Sequence, residues 1–96
     1  MHARATTVRV GQEVAEQAIS QYRDTLATFR GMEGNRGAFL LVDRVSGKGI
    51  GVTLWENEQA MAETREQAEG LRQRAAEEAR GEIESVVEYE VAVWEV

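Results

Sequence analysis

The 96-residue chain contains no cysteine and no proline, and it has one lysine and one histidine. Without cysteine there is no disulfide framework, no thiol nucleophile and no thiolate metal site, in a pattern that fits the cytosol and export alike. The ten arginines and single lysine form no cluster and face seventeen acidic residues, for a formal charge of −6. Phosphate backbones and anionic lipid surfaces are bound through basic patches, so neither nucleic acid nor a membrane is an expected partner. No stretch approaches the roughly 18 apolar residues of a membrane span, and Met1–Thr7 lacks the apolar run of a signal peptide. A cytoplasmic protein is expected. With no proline and no Ser/Gly-rich tract there is no linker, and residues 1–96 are expected to form a single domain. A single histidine excludes an HExxH motif, and no Ser/His/Asp set and no dinucleotide fingerprint is recognisable. The lone His2 could serve as a general base near neutral pH, or simply be a solvated residue at a chain end.

What is present is punctuation by glycine between runs of contrasting period. Residues 2–10 read as a strand, stiffened by Thr6, Thr7, Val8 and Val10. Gly11 opens a helix over 12–30, on which Val14, Ala18, Tyr22, Leu26 and Phe29 recur at steps of three and four. Glu13 and Glu16 suit its first turns, Arg30 its last, and Gly31 the residue beyond. Strands follow over 37–44 and 49–56, joined by a tight hairpin in which Gly47 takes a positive φ. Asn57 is expected to cap a second helix over 58–79, with Gly81 ending it and a last strand over 83–96. The order is β-α-β-β-α-β, an α+β ferredoxin-like arrangement with an antiparallel sheet. Such a helix would be longer than its neighbouring strands, so a bend or break is expected near Gly70, where helix propensity is poorest.

Two helices cover one face of such a sheet, and the other should then alternate apolar and polar residues. The second strand breaks that rule: Ala38, Leu40 and Val42 occupy one face while Phe39 and Leu41 occupy the other. The last strand likewise sets Val86, Ala92, Trp94 and Val96 against Val87, Tyr89, Val91 and Val93. A contiguous apolar patch of this size marks an interaction surface, and a second copy facing it across a two-fold axis is the simplest cover. A homodimer through the sheet face is therefore expected.

The run Gly37–Arg44, the turn Ser46–Gly49 and above all Thr53-Leu54-Trp55-Glu56-Asn57 opening the second helix carry a resemblance to a known family. They resemble the antibiotic biosynthesis monooxygenase-like proteins of the dimeric α+β barrel superfamily. That resemblance implies two sheets facing each other in a barrel, with a pocket between each subunit's sheet and helices. It also implies cofactor-independent oxygenation of aromatic or polyketide-like compounds, in which a deprotonated substrate meets O₂ directly. Neither a cofactor nor a metal is then expected. The heme-degrading members of the superfamily use a histidine on the second helix, which residues 58–80 lack, and this argues against heme chemistry. Trp55, Asn57, Tyr22 and Arg72 are the candidate pocket residues. A buried Trp55 plugging the core between helix and sheet is the alternative for that position.

Glu84, Glu88 and Glu90 fall on one phase of the last strand. Paired carboxylates hold a divalent cation, share acid and base roles, or pair across strands with Arg4 or Arg9, the last being the favoured reading. Gly47-Lys48-Gly49-Ile50-Gly51 is followed by a strand and not a helix, so it is a hairpin and not a phosphate loop. The mixed charges of the second helix surround a narrow alanine stripe and read as a solvated face. Two functions remain: a small-molecule-binding, cofactor-free monooxygenase, and a non-catalytic ligand-binding or structural/regulatory homodimer. A cavity of roughly 300 Å³ or more beside Trp55 favours catalysis or ligand binding, and a solid core there a structural role.

Overall fold

The computed structural model describes residues 1–10 and 15–95, so the expectations at Gly11, Glu13, Val14 and Val96 lie outside the described residues. Four strands and three helices follow in the order β1 (His2–Arg9), α1 (Ala15–Arg30), β2 (Asn35–Asp43), β3 (Lys48–Trp55), α2 (Glu58–Glu63), α3 (Arg65–Glu78) and β4 (Glu82–Glu90). The sheet runs β2-β3-β1-β4 with every neighbouring pair antiparallel. This is the split βαβ arrangement of a ferredoxin-like fold.

Register assigns the faces. Arg4, Thr6 and Val8 of β1 stand opposite Thr53, Gly51 and Gly49 of β3, which in turn face Ala38, Leu40 and Val42 of β2. This is the helix side. Val8 packs there with Ala18 and Tyr22 of α1 and Ala75 and Ala79 at the end of α3. Trp55 packs with Phe29, Met61 and Ala68 at the other end of the same layer. The alanine stripe of α3 lets it sit close to the sheet, with Ala68, Ala75 and Ala76 all buried. Phe39, Leu41, Val87 and Tyr89 lie on the opposite face and remain exposed.

Local signals act where they were expected at the hairpin and at the start of α2. Gly47 adopts φ 75°, and Asp43 accepts hydrogen bonds from the backbone of Val45 and Ser46, which hold its carboxyl below the usual carboxylate range. The Asn57 side chain accepts from the Ala60 amide at 2.8 Å, the geometry of an N-cap.

Four expectations need correction. The second helical segment breaks at Thr64, not at Gly70, which lies within α3. The Met61 carbonyl accepts from the Arg4 guanidinium at 2.7 Å, the Thr64 hydroxyl at 3.0 Å and the Thr64 amide at 3.3 Å, so α2 ends in a tightened turn there and the helix restarts at Arg65. The residue that closes α3 in the left-handed region is Arg80, at φ 55°, and not Gly81. The amides of Arg80 and Gly81 reach back to the carbonyls of Glu77 and Ala76, which is a Schellman closure. Gly81 is required for proximity instead, since a Cβ there would stand 2.7 Å from the Val10 side chain. Beyond α1, Gly34 rather than Gly31 takes the positive φ. Finally, the last strand ends at Glu90 and not at 96: its neighbour β1 begins at His2, opposite Glu90, and after one bond from Val91 to Met1 no strand remains to pair with.

Candidate functional site

Small residues on the helix side of β3 leave room under the helices. Gly49, Gly51 and Thr53 alternate along it, and a Cβ built on Gly51 meets nothing within 4 Å. The resulting pocket is floored by Arg4, Thr6, Gly51 and Thr53, walled on one side by Tyr22, Thr25, Leu26 and Phe29 of α1, and closed on the other by Arg72 of α3. Its space is about 20 Å³, enough for a water-sized group, where whole-ligand cavities measure roughly 300 Å³ or more. The larger hollows lie elsewhere. One of about 320 Å³ sits beside Leu54 and Trp94, and one of about 550 Å³ lies between α1 and β2.

Arg4 organises the site. It is only 2% exposed, although it is a guanidinium on a strand. Its Nε donates to Glu88 at 3.2 Å and its Nη2 to the Met61 carbonyl at 2.7 Å. The guanidinium also lies 5.6 Å from the centre of the Trp55 ring, within cation–π range. Burial lowers its pKa, and the Glu88 hydrogen bond opposes that shift. Glu88 is shared: Arg65 of α3 binds the same carboxylate, with its closest contact at 2.6 Å, and it is chiefly this hydrogen bond that holds Glu88 below the usual carboxylate range. Arg9 pairs separately with Glu84 at 3.2 Å. Glu84 and Glu88 thus serve as cross-strand ion partners. A register shift opposite Thr7 and Val8 leaves Glu84 as the extra residue of a bulge.

Among the four sequence candidates, the structure brings Tyr22 and Arg72 into the pocket. Trp55 lies behind it, fully buried, with its indole N–H donating to Thr53 Oγ1 at 3.0 Å. Asn57 is not brought to the pocket. It caps α2 and borders an exposed groove with Glu33, Glu56 and Glu63. Arg4, Thr6 and Thr53 are pocket residues that sequence reasoning did not nominate. The available signal was an arginine at Arg4 on the same two-residue phase as Thr6 and Val8, the phase β1 buries.

The electrostatics of the pocket are lopsided. Arg4 Nη1, Arg72 Nη1 and the Tyr22 hydroxyl are all buried with no hydrogen-bond partner among the described residues. Burial pushes the Tyr22 phenol up, so it stays a neutral donor. Burial first, and then the neighbouring positive charge of Arg4, pushes Arg72 down. No carboxylate or imidazole lines the pocket. The arrangement can therefore offer positive charge and hydrogen-bond donors, while no side chain lining it is a ready general base. Among the described residues, no group of three or more His, Asp or Glu is placed to hold a metal ion, and no helix is long and apolar enough to cross a membrane.

Comparison with known proteins places the fold. No protein-family model matches the chain. It is 39% identical over 93 residues to the uncharacterised protein Rv2557 of Mycobacterium tuberculosis, covering 96% of this chain and 41% of that protein. The chain thus spans about two fifths of the length of the curated relatives it matches first. Among solved structures, a candidate antibiotic biosynthesis monooxygenase from Deinococcus radiodurans superposes with a TM-score of 0.75 at 15% identity, over 100% of this chain and 97% of that one. The heme-degrader MhuD from Mycobacterium tuberculosis, solved with two hemes in its active site, gives 0.73 at 16% identity over 100% of both chains. The chain has the ferredoxin-like fold of the antibiotic biosynthesis monooxygenase-like proteins. Its own residues do not suit a heme iron: α2 and α3 carry no histidine.

Proposed function

We propose that the protein is a cytoplasmic, single-domain, small-molecule-binding homodimer whose ligand site is the pocket between α1, α3 and the sheet. The observation that carries this reading is a set of unpartnered polar atoms, from Arg4, Arg72 and Tyr22, gathered behind an otherwise carbon-lined wall. Binding pockets are built in this way, with apolar walls and a few converging polar groups. Cofactor-free oxygenation of an aromatic or polyketide-like compound is the chemistry its fold relatives suggest. Dimerisation through the sheet is supported by Phe39, Leu41, Val87 and Tyr89, whose side chains leave that face apolar and open.

A second reading, a non-catalytic ligand-binding or structural/regulatory homodimer, is favoured by the pocket's space of only about 20 Å³ and by a lining that holds no carboxylate or imidazole among the described residues. Oxygen uptake with an anthrone separates the two. Uptake above the uncatalysed rate, diminished in Tyr22→Phe, supports the oxygenase. No added uptake together with a saturable rise in melting temperature supports the binder. If a panel of aromatic compounds produces neither effect, the ligand-binding reading is wrong.

A further inference from the structure

We propose that the pocket binds the carboxylate of a small organic acid, held between Arg4 and Arg72 with the Tyr22 hydroxyl as a third donor. The inference rests on the small-molecule reading above and specifies the charge of the ligand.

Charge accounting is the first argument. Arg4, Arg65 and Arg72 surround one hydrogen-bonded carboxylate, Glu88, which is already engaged by Arg4 and Arg65. Arg72 has no ion pair among the described residues, and Glu69 and Glu88 act on it only at a distance, without a hydrogen bond. Uncompensated buried charge is among the costliest features a fold can carry. Carboxylates are not scarce here, since the chain has six more acidic than basic residues. Of the three guanidinium groups only that of Arg72, half-buried with its Nη1 enclosed, has no carboxylate hydrogen-bonded to it among the described residues, and an anion arriving from outside would supply one.

Geometry supplies the second argument. Arg4 is fixed by Glu88, by the Met61 carbonyl and by the Trp55 ring, which leaves Nη1 as its one buried nitrogen without a partner. Arg4 is thus preorganised, and an Arg fork is well matched to carboxylate oxygens. The space of about 20 Å³ suits a head group, with the remainder of the ligand passing out along the half-buried Thr25 and Leu26. The three donors are shielded from solvent as the side chains stand. Entry therefore requires a turn of the Arg72 side chain, which rises from a half-buried position on α3.

Titration with benzoate and its neutral isostere benzamide, at constant ionic strength and neutral pH, tests the assignment. The readouts are the Arg4 and Arg72 Nε–H resonances and the backbone amides of Phe29 and Thr53. Benzoate is expected to give saturable shifts and to bind at least tenfold more tightly than benzamide. Arg72→Gln is expected to weaken benzoate at least tenfold and benzamide far less, and to be no less stable than the parent when unliganded, because it removes a half-buried charge that has no ion pair among the described residues. Tyr22→Phe, expected to weaken benzoate severalfold, provides a second variant. Equal binding of the two probes, or full benzoate affinity in Arg72→Gln, overturns the anion assignment and leaves the pocket reading intact. If neither probe moves any pocket resonance, both fall.

Discussion

The two faces of the sheet depart from the usual partition in opposite ways. The face under the helices buries a guanidinium and two threonines, Arg4, Thr6 and Thr53, all under 8% exposed. The face without helices presents Phe39, Leu41, Val87 and Tyr89, with Leu41 and Tyr89 more than half exposed. Charge sits inside among the oil, and oil lies outside as well. A fold tolerates this only where each anomaly has a counterpart: the buried charge needs hydrogen bonds, and the exposed apolar surface needs a cover. The first need is met in part, by Glu88, the Met61 carbonyl and Trp55. What is left unmet on each face is where a ligand and a second subunit enter the argument.

Removing the centre of the covered face should have the largest effect. Trp55→Ala deletes a fully buried side chain, the ring under Arg4 and the donor to Thr53. A loss of about 3–5 kcal/mol is expected, read as a drop of more than about 12 °C in melting temperature. On the open face, Leu41→Glu sets a charge among the exposed apolar side chains. Dimer affinity should fall at least about 100-fold, roughly 2.7 kcal/mol, with little change in subunit stability, so that sedimentation shows a 10.7 kDa species. A parent protein that already sediments at that mass would remove the need for a cover and break the comparison.

Glu88→Gln sharpens the account of the buried charge. Leaving Arg4 and Arg65 without their carboxylate should cost about 1–3 kcal/mol at neutral pH. Because hydrogen bonds from Arg65 and Arg4 depress the Glu88 pKa, the unfolded chain takes up its proton first as acid is added. Its contribution is complete above the unfolded value of about 4.3 and disappears as pH falls through the folded value. Denaturant titrations from pH 6 to 3 should therefore show a shallower loss of stability in Glu88→Gln than in the parent. The smallest effect runs the other way. Gly70 lies exposed within α3, and a Cβ added there would meet nothing within 4 Å, so Gly70→Ala should raise stability by about 1 kcal/mol in denaturant titration.

How much of this was legible beforehand varied with the range of the interaction. The hairpin at Gly47 and the cap at Asn57 depend on residues within a few positions of each other, and local chemistry specified both. The apolar residues on both phases of β2 could be read in the same way, because side-chain direction alternates strictly along a strand. The break at Thr64 could not, because its cause is Arg4, which reaches the Met61 carbonyl from the far end of the sequence. Gly70 offered the stronger local signal and lost to that tertiary hydrogen bond. Arg80 in the left-handed position beside an available Gly81 has a similar origin, since Gly81 is needed where the chain passes Val10. In the candidate site, Tyr22 and Arg72 follow from the resemblance as pocket residues, while Asn57 belongs to a cap and the sequence points to Arg4 only as an ion partner of β4.

By itself the sequence determined the element order, the antiparallel ferredoxin-like topology and the oily character of both sheet faces, since these follow from periodicity and turn chemistry. Only the tertiary structure decided that Arg4, Arg72 and Tyr22 share one pocket, that Glu88 is divided between Arg4 and Arg65, and that the last strand stops at Glu90. Each of those depends on which strands become neighbours and how closely the alanine face of α3 approaches them. Charge balance at a buried point is a sum over residues far apart in the chain, and no local pattern contains it.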